Sequence, residues 1–376
     1  MRIAVNTRLL LKDKLEGIGW YTYETLSRIV KTHPEHEFFF IFDRPYSKEF
    51  IFEQNVTPIV LGPPTRHPLL WYIWFELRLP NLLKKLKADL FLSPDGFLSL
   101  TTKTPSIAVI HDINFEHYPK DLKFTHSTFY RFFFRKYAFK ANRIVTVSEY
   151  SKEDISKFYS VNKDTIDVSL NGVNPVFHPI GLTEQIQTRK QYSKGKDYFL
   201  FVGALHPRKN IKRLLLAFDS FKSETKSSNK LLIVGAKMWW NDELKIAFES
   251  IKHKEDVVFT GRKSLQELQL LYASAQAFCF VPYFEGFGIP IVEAMKCACP
   301  VITSNCTAMP EVAGEAALLV DPFNVEAIKN AMITIEKDPV LRAELSEKGL
   351  IHAQKFSWNS TANALWGSIE KVLQEC

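Results

Sequence analysis

The chain has 376 residues, 46% of them apolar and 13% aromatic, which is enough to fill two cores of ordinary size and excludes a disordered or low-complexity protein. The formal net charge of +7 is moderate for this length and makes no case for a nucleic-acid partner. Residues 1–11 are broken by Arg2, Asn6 and Arg8 and alternate like a strand, unlike a secretory leader, and no apolar run is long enough to span a bilayer. The five cysteines, Cys279, Cys297, Cys299, Cys306 and Cys376, lack CxxC spacing and fit buried thiols in a reducing compartment, so a cytoplasmic protein is expected.

The first strand is expected at residues 2–6, followed by Gly17-Ile18-Gly19 directly before an amphipathic run carrying Trp20, Tyr23, Leu26 and Val30. Glycines at a helix start let the backbone approach an anionic ligand, although a GxG on its own is equally a plain strand-to-helix turn. A second strand is expected at 37–42, an irregular stretch at 51–61 and a breaker at Gly62-Pro63-Pro64. Residues 69–87 mix Trp71, Trp74, Phe75 and several leucines with Arg78 and three lysines, and Pro80 splits or kinks any helix there. That segment reads as helices packed on the sheet or as a basic amphipathic face for a membrane surface.

The apolar run 106–110 ends at His111-Asp112. In a parallel sheet the carboxyl ends of the strands face the ligand crevice, so this polar pair is placed for chemistry. Residues 121–143 combine eight aromatic side chains with six Lys or Arg and the single acid Asp121. At helical spacing the aromatics overflow one narrow stripe, so part of them is expected outside the core. The charge is almost wholly basic, which suits either a solvated face or an anionic membrane or acceptor. A strand at 143–147, a helix from Ser151 and the turn cluster Asn171-Gly172-Val173-Asn174-Pro175 close the first half, and the polar stretch 181–196 marks the boundary.

In the second half three expected strands stop at a glycine in turn: 198–202 at Gly203, 231–234 at Gly235 and 257–260 at Gly261. That is how a nucleotide crevice is built along one sheet edge. Ser264 to Glu267 forms a capping box for the next helix. The stretch 280–305 is the most informative: an apolar run breaks into Glu285-Gly286-Phe287-Gly288, Pro290 opens a helix, and a β-branched run follows Pro300. Two carboxylates, Glu285 and Glu293, stand eight positions apart across that loop.

The spacing E-G-F-G-x-P-x-x-E-A from Glu285 to Ala294 resembles the E-x7-E signature of retaining glycosyltransferases of the GT-B fold, family 4. The likeness extends through Gly203, Arg208-Lys209-Asn210, Phe259-Thr260-Gly261, Pro310-Glu311-Val312-Ala313-Gly314 and Asp321-Pro322, and in the first half through Gly17-Ile18-Gly19, His111-Asp112 and Asn171-Gly172-Val173. It implies an α/β chain of two Rossmann-like parallel-sheet domains facing across a cleft. The expected divisions are an acceptor-binding domain at 1–175, a linker at 176–196, a donor-binding domain at 197–357, and a C-terminal helix at 358–376 that crosses back to the first domain. Relatives commonly carry a glycine just after the signature helix, where this chain has Ala298, so a differently shaped helix end is expected with no catalytic group lost.

The resemblance also assigns roles. A nucleoside diphosphate leaves with growing negative charge, and without an Asp-x-Asp pair no metal ligands are assigned, so Arg208 and Lys209 are expected to supply the positive charge. The backbone amides of Phe287, Gly288 and Ile289 are expected to meet sugar hydroxyls or phosphate. Gly17, Gly19 and Gly203 are expected to admit the ligand closely. Glu293 is expected to accept from the ribose diol, while Glu285 and His111 are the catalytic candidates at the transferred sugar, with closure of the domains bringing them together.

The function implied is a metal-independent retaining hexosyltransferase with no bound cofactor, its co-substrate a nucleotide sugar (GDP-mannose, or a UDP-hexose) and its acceptor a glycan or lipid-linked saccharide. A peripheral contact with the inner face of an anionic membrane is compatible with the basic aromatic stretch. A GT-B isomerase or hydrolase of the nucleotide sugar, and a nucleotide-sugar-binding subunit without catalysis, remain the competing readings.

Overall fold

A computed structural model describes residues 1–235 and 242–374. The chain divides into two units, Met1–Gly172 joined by the stretch from Ser357, and Val173–Phe356. Each is a parallel α/β sheet whose inner strands are buried, as expected when helices cover both faces, while the edge strands are partly exposed.

The first unit holds β1 (Arg2–Asn6), β2 (Glu37–Phe42), β3 (Val56–Val60), β4 (Leu90–Ser93), β5 (Ser106–Val109), β6 (Arg143–Thr146) and β7 (Ile166–Val168), in the spatial order β3-β2-β1-β4-β5-β6-β7. The order reverses between β1 and β4, where loops leaving the two strands diverge and open a crevice at their carboxyl ends. Residues 51–61, expected to be irregular, contain β3, and Pro58 sits within it opposite Phe40. Proline is tolerated because β3 is an edge strand whose outer N–H row needs no partner.

Residues 69–87 form helices Pro68–Tyr72 and Leu79–Leu86 joined by one π-helical stretch, Ile73–Arg78. Pro80 follows directly on the π-helical stretch, which takes up the change of register where its missing N–H interrupts the helical ladder. The basic aromatic stretch is a single helix, Phe124–Lys140, with Phe129, Phe134 and Tyr137 buried and Phe124, Phe132 and Phe139 exposed.

The C-terminal helix Trp358–Gln374 belongs to the first unit and packs on helix Gly17–Thr32. Ser169 Oγ donates to Thr361 O at 2.9 Å, Thr361 Oγ1 donates to Leu170 O at 2.7 Å, and Lys371 Nζ donates to Asp167 at 2.7 Å. A Cβ on Gly172 would lie 2.2 Å from Trp358 N, so only glycine lets the helix start this close.

The second unit holds β8 (Tyr198–Val202), β9 (Lys230–Val234), β10 (Val257–Gly261), β11 (Ala277–Phe280), β12 (Val301–Ser304) and β13 (Ala317–Val320), in the order β10-β9-β8-β11-β12-β13. Its reversal lies between β8 and β11. Residues 176–196, expected as a linker, instead carry helix Leu182–Ser193, which is part of this unit. Its pattern is polar because little of it is buried, while Arg189 Nε donates to Ser274 O at 3.1 Å and Tyr192 Oη donates to Glu267 Oε1 at 3.0 Å.

Cys279, Cys297 and Cys299 are buried free thiols, and burial raises the pKa of each. Cys306 is half-buried, and Cys376 lies outside the described residues. None of the described helices is long and apolar enough to cross a membrane.

Candidate active site

The loops leaving β8 and β11 flank the reversal of the second sheet, the place where an open α/β sheet takes its ligand. They are sewn together by main-chain and side-chain bonds. Tyr283 N donates to Arg208 O at 3.0 Å, and Asn210 Nδ2 donates to Val281 O at 2.9 Å and to Pro322 O at 2.6 Å. Asn210 takes a left-handed conformation (φ 62°) between the 3-10 turn Pro207–Lys209 and helix Ile211–Thr225, which turns the two basic side chains towards the β11 loop.

Glu285, expected from sequence as a loop carboxylate near the sugar, is buried and paired through one oxygen with both Arg208 and Lys209. Burial pushes its pKa up, but the attraction of Arg208 and Lys209 outweighs it and holds the carboxyl below its ordinary range. The Lys209 ammonium also lies 4.8 Å from the centre of the Phe280 ring. Three of the residues picked out from sequence therefore form one charged cluster at the sheet reversal.

Gly288 opens helix Ile289–Lys296 in the left-handed region (φ 95°), and a Cβ there would meet Met309 Cε at 3.0 Å. The helix ladder begins at Ile291 N, which donates to Gly288 O at 2.9 Å, so the amides of Phe287, Gly288 and Ile289 stand ahead of it. The Phe287 ring is buried against Phe356 at 5.7 Å, anchoring the loop. Further along the helix, Glu293 is half-buried and accepts from Tyr272 Oη at 2.9 Å. Burial raises its pKa to about 7, against the pull of that hydrogen bond.

The helix ends in a Schellman arrangement, with Cys299 N donating to Ala294 O and Ala298 N donating to Met295 O, both at 3.0 Å. Ala298 itself has φ 56°. The expectation of a differently shaped helix end is thus corrected: the alanine adopts the left-handed backbone a glycine would take, because the two closing hydrogen bonds require it.

The glycines at the three strand exits form a stack of backbones. Gly203 N donates to Val234 O at 2.9 Å and Gly235 N donates to Gly261 O at 3.1 Å, and a Cβ on Gly235 would lie 1.9 Å from Gly203 O. Next to this edge stands His206, which no motif in the sequence marks. It is buried, its Nδ1 accepts from Arg208 N at 3.3 Å, and burial together with the neighbouring Arg208 and Lys209 lowers its pKa to about 4. It therefore shapes the turn as a neutral ring.

In the first unit, His111 leaves the carboxyl end of β5 as expected. Its Nε2 donates to Pro94 O at 2.9 Å, its ring stands edge-on to Tyr21 at 4.9 Å, and its carbonyl accepts from Ser151 Oγ at 3.2 Å. Burial lowers its pKa, so the ring is neutral, with the proton on Nε2 and Nδ1 as its acceptor atom. Gly17 begins helix Gly17–Thr32, and a Cβ there would meet nothing within 4 Å. Gly19 is explained within the chain, since a Cβ there would meet Leu9 O at 3.0 Å and the Leu15 side chain at 3.2 Å.

The sequence reading missed a polar cluster at the reversal of the first sheet. Arg8 Nε donates to Asp95 Oδ2 at 2.5 Å, Asn6 Nδ2 donates to Asp95 Oδ1 at 2.8 Å and to Ser93 Oγ at 3.0 Å, and the Arg8 guanidinium lies 4.1 Å from the centre of the Phe97 ring. Pro94-Asp95-Gly96 directly after the buried run of β4 was the available signal, the same strand-then-glycine order seen in the second half.

The family model "Glycosyl transferases group 1" matches residues 183–351 and "Glycosyltransferase Family 4" matches 15–177. The chain is 27% identical over 366 residues to the O-antigen chain mannosyltransferase B of Escherichia coli, covering 93% of this chain and 94% of that protein. It is 30% identical over 275 residues to the O-antigen chain mannosyltransferase RfbU of Salmonella typhimurium, covering 72% of each. Among solved structures, Anabaena HepE in complex with UDP and glucose superposes with a TM-score of 0.75 at 17% identity over 98% of this chain and 99% of that one, a likeness of fold. Two doubly wound sheets, a charged cluster at the second reversal and these matches lead to one conclusion: the chain belongs to family 4 of the GT-B glycosyltransferases and is mannosyltransferase-like.

Proposed function

We propose that the protein transfers mannose from GDP-mannose to a glycan or lipid-linked saccharide of O-antigen type, with retention at the anomeric carbon and without a metal ion. The observation that carries this reading is the Arg208–Glu285–Lys209 cluster at the carboxyl edge of β8 and β11. Two adjacent cations fixed beside a helix start suit a diphosphate that gains charge as it leaves. The choice of mannose is supported by the relatives' names, and a UDP-hexose is the second donor to test.

In this reading Glu293 accepts from the ribose diol, Glu285 and the amides of Phe287, Gly288 and Ile289 hold the sugar, and His111 offers Nδ1 to it. The acceptor hydroxyl attacks the anomeric carbon on the face the phosphate is leaving. The carbon–phosphate-oxygen bond breaks as the new glycosidic bond forms, and the acceptor proton passes to the departing phosphate oxygen. A carboxylate already neutralised by two cations is a poor nucleophile, which supports Glu285 as a ligand of the sugar rather than its covalent carrier.

A donor panel assayed with and without a mannosylated lipid-linked acceptor tests the proposal, with the product's anomeric configuration read by NMR. Turnover of GDP-mannose that depends on acceptor and gives the α-product is expected. Full-rate consumption of donor alone would establish the isomerase or hydrolase reading, binding without turnover would establish the non-catalytic one, and a glycosylated Glu285 in intact-mass analysis would replace the front-face route.

A further inference from the structure

We infer that Arg8 is the residue through which the first unit grips the acceptor saccharide, its guanidinium donating from Nη1 and Nη2 to neighbouring hydroxyls of one pyranose ring. The inference rests on the transfer reading above and adds to it a named side chain for the acceptor. An open α/β sheet takes its ligand at the carboxyl ends of the strands where the order reverses. In the first sheet that place lies between β1 and β4, and Arg8 stands two residues beyond the end of β1 as Asp95 does beyond β4.

Arg8 is only 7% exposed, and its Nε is committed to Asp95 Oδ2. Asp95 is committed in turn, since its Oδ1 accepts from Asn6 Nδ2 at 2.8 Å, Ser93 Oγ at 3.1 Å and Phe97 N at 3.3 Å. Among the described residues neither terminal nitrogen of Arg8 has a hydrogen-bond partner. Thr7 Oγ1, next in the chain, and Tyr137 Oη are sealed from solvent without a partner, whereas the Arg8 terminal nitrogens are not sealed. The guanidinium lies 4.1 Å from the centre of the Phe97 ring and 5.2 Å from that of Phe75. Phe75 belongs to the π-helical stretch Ile73–Arg78, a backbone irregularity found mostly at functional sites. Tyr130, partly exposed, stands edge-on to Phe97 at 5.9 Å and stacks on Trp71 at 5.5 Å with the planes 9° apart. Burial raises the pKa of its hydroxyl, and the charges of Arg8 and Asp95 act on it as well.

A guanidinium fork fixed by one carboxylate and two rings, with its outer N–H groups unspent, is a preorganised pair of donors. As a structural tie alone it would contribute little, because a buried ion pair is often no better than apolar side chains of the same volume. Asp95 cancels the charge of Arg8, so a neutral polyol suits the pair better than a free anion, and the aromatic wall suits the C–H face of a sugar ring. The same turn serves the transfer chemistry: His111 Nε2 donates to Pro94 O at 2.9 Å, one residue before Asp95. Arg8 therefore binds the acceptor, and Asp95 and Asn6 are positioning residues that hold its fork.

Kinetics of the full chain with GDP-mannose and a neutral alkyl mannobioside test this. Arg8→Lys keeps the charge and loses the fork, and is expected to raise the acceptor KM at least about tenfold while the donor KM stays within about twofold. Arg8→Met with Asp95→Leu removes the pair without stranding a buried charge, so it should melt cooperatively near the wild-type temperature and still lose the acceptor. Saturation-transfer NMR of the mannobioside with the full chain reads that binding without turnover. An unchanged acceptor KM in Arg8→Lys, equal rises in donor and acceptor KM, or a loss confined to a pyrophosphate-linked acceptor would each overturn the inference. Failure of the wild type to turn over any donor would fall on the transfer reading instead. In that event mannobioside binding that is lost in Arg8→Lys supports the role of Arg8, and binding that persists overturns it.

Discussion

Tyr272 Oη donates to Glu293 Oε2 at 2.9 Å, so the carboxylate on the glycine-loop helix is steadied by a phenol from helix Leu265–Ser274. Burial has raised the Glu293 pKa to about 7, and the Tyr272 hydrogen bond favours the ionised form. If Glu293 binds the ribose diol as a carboxylate, donor affinity rises as pH climbs through about 7, because protonation removes half of its acceptor capacity. Tyr272→Phe removes the favourable bond, so the carboxyl titrates at still higher pH. One hydrogen bond worth about 0.5–1.5 kcal/mol corresponds to a shift of roughly half a unit to one unit. The donor KM against pH for wild type and variant measures it; a midpoint that stays in place, or moves to lower pH, contradicts the assignment.

Ala298 bears a left-handed backbone without being glycine. For an L-residue that conformation costs about 1–2 kcal/mol, partly offset by the greater freedom of glycine in the unfolded chain. Ala298→Gly is therefore expected to stabilise the protein by about 0.5–1 kcal/mol, read as a higher denaturant midpoint with unchanged slope. A lower midpoint would mean that the alanine methyl makes packing contacts worth more than the strain.

Arg208 and Lys209 share one oxygen of Glu285, so each cation is positioned before any donor arrives. If they stabilise charge that develops as the phosphate leaves, removing either lowers kcat more than it raises KM. Arg208→Ala and Lys209→Ala are each expected to lose about 10²–10³ in kcat, the range for one preorganised donor at a developing oxyanion. A loss confined to KM would show that the cations bind ground-state donor only.

How far the sequence carried depends on the separation of the parts. The glycine loop, Glu285 and Glu293 fall within a single stretch, so their spacing was legible, and the strand-then-glycine order of β8, β9 and β10 marked the carboxyl ends of those strands. Arg8 and Asp95 were not legible, because they meet only when β1 and β4 become neighbours across 87 positions of chain. The strand β3 was hidden by Pro58, which an edge tolerates, and the helix Leu182–Ser193 by its polar surface. The raised pKa of Glu293 depends on burial and on Tyr272 from another helix, neither visible in local pattern.

Helix Phe124–Lys140 exposes Phe124, Phe132 and Phe139, with Arg131, Arg135 and Lys136 on the same solvent side, and the Lys136 ammonium rests 3.6 Å from the centre of the Phe132 ring. Leu69, Tyr72 and Leu77 are exposed as well, and Tyr72 meets Phe133 at 6.3 Å, which extends this surface onto the neighbouring helix. Exposed aromatics among cations suit the interface of an anionic bilayer, where the rings enter the headgroup layer and each cation contributes about 1 kcal/mol. A lipid-linked acceptor would be met at such a surface. Arg135→Glu with Lys136→Glu removes two favourable charges and adds two unfavourable ones, so binding to vesicles rich in anionic lipid should fall at least about tenfold. Phe132→Ser should weaken it on neutral vesicles too, since the aromatic contribution does not depend on lipid charge. Co-flotation of wild type and variants with the two vesicle types reads both effects; equal flotation of wild type and the double variant on anionic vesicles would return this face to a solvated helix surface.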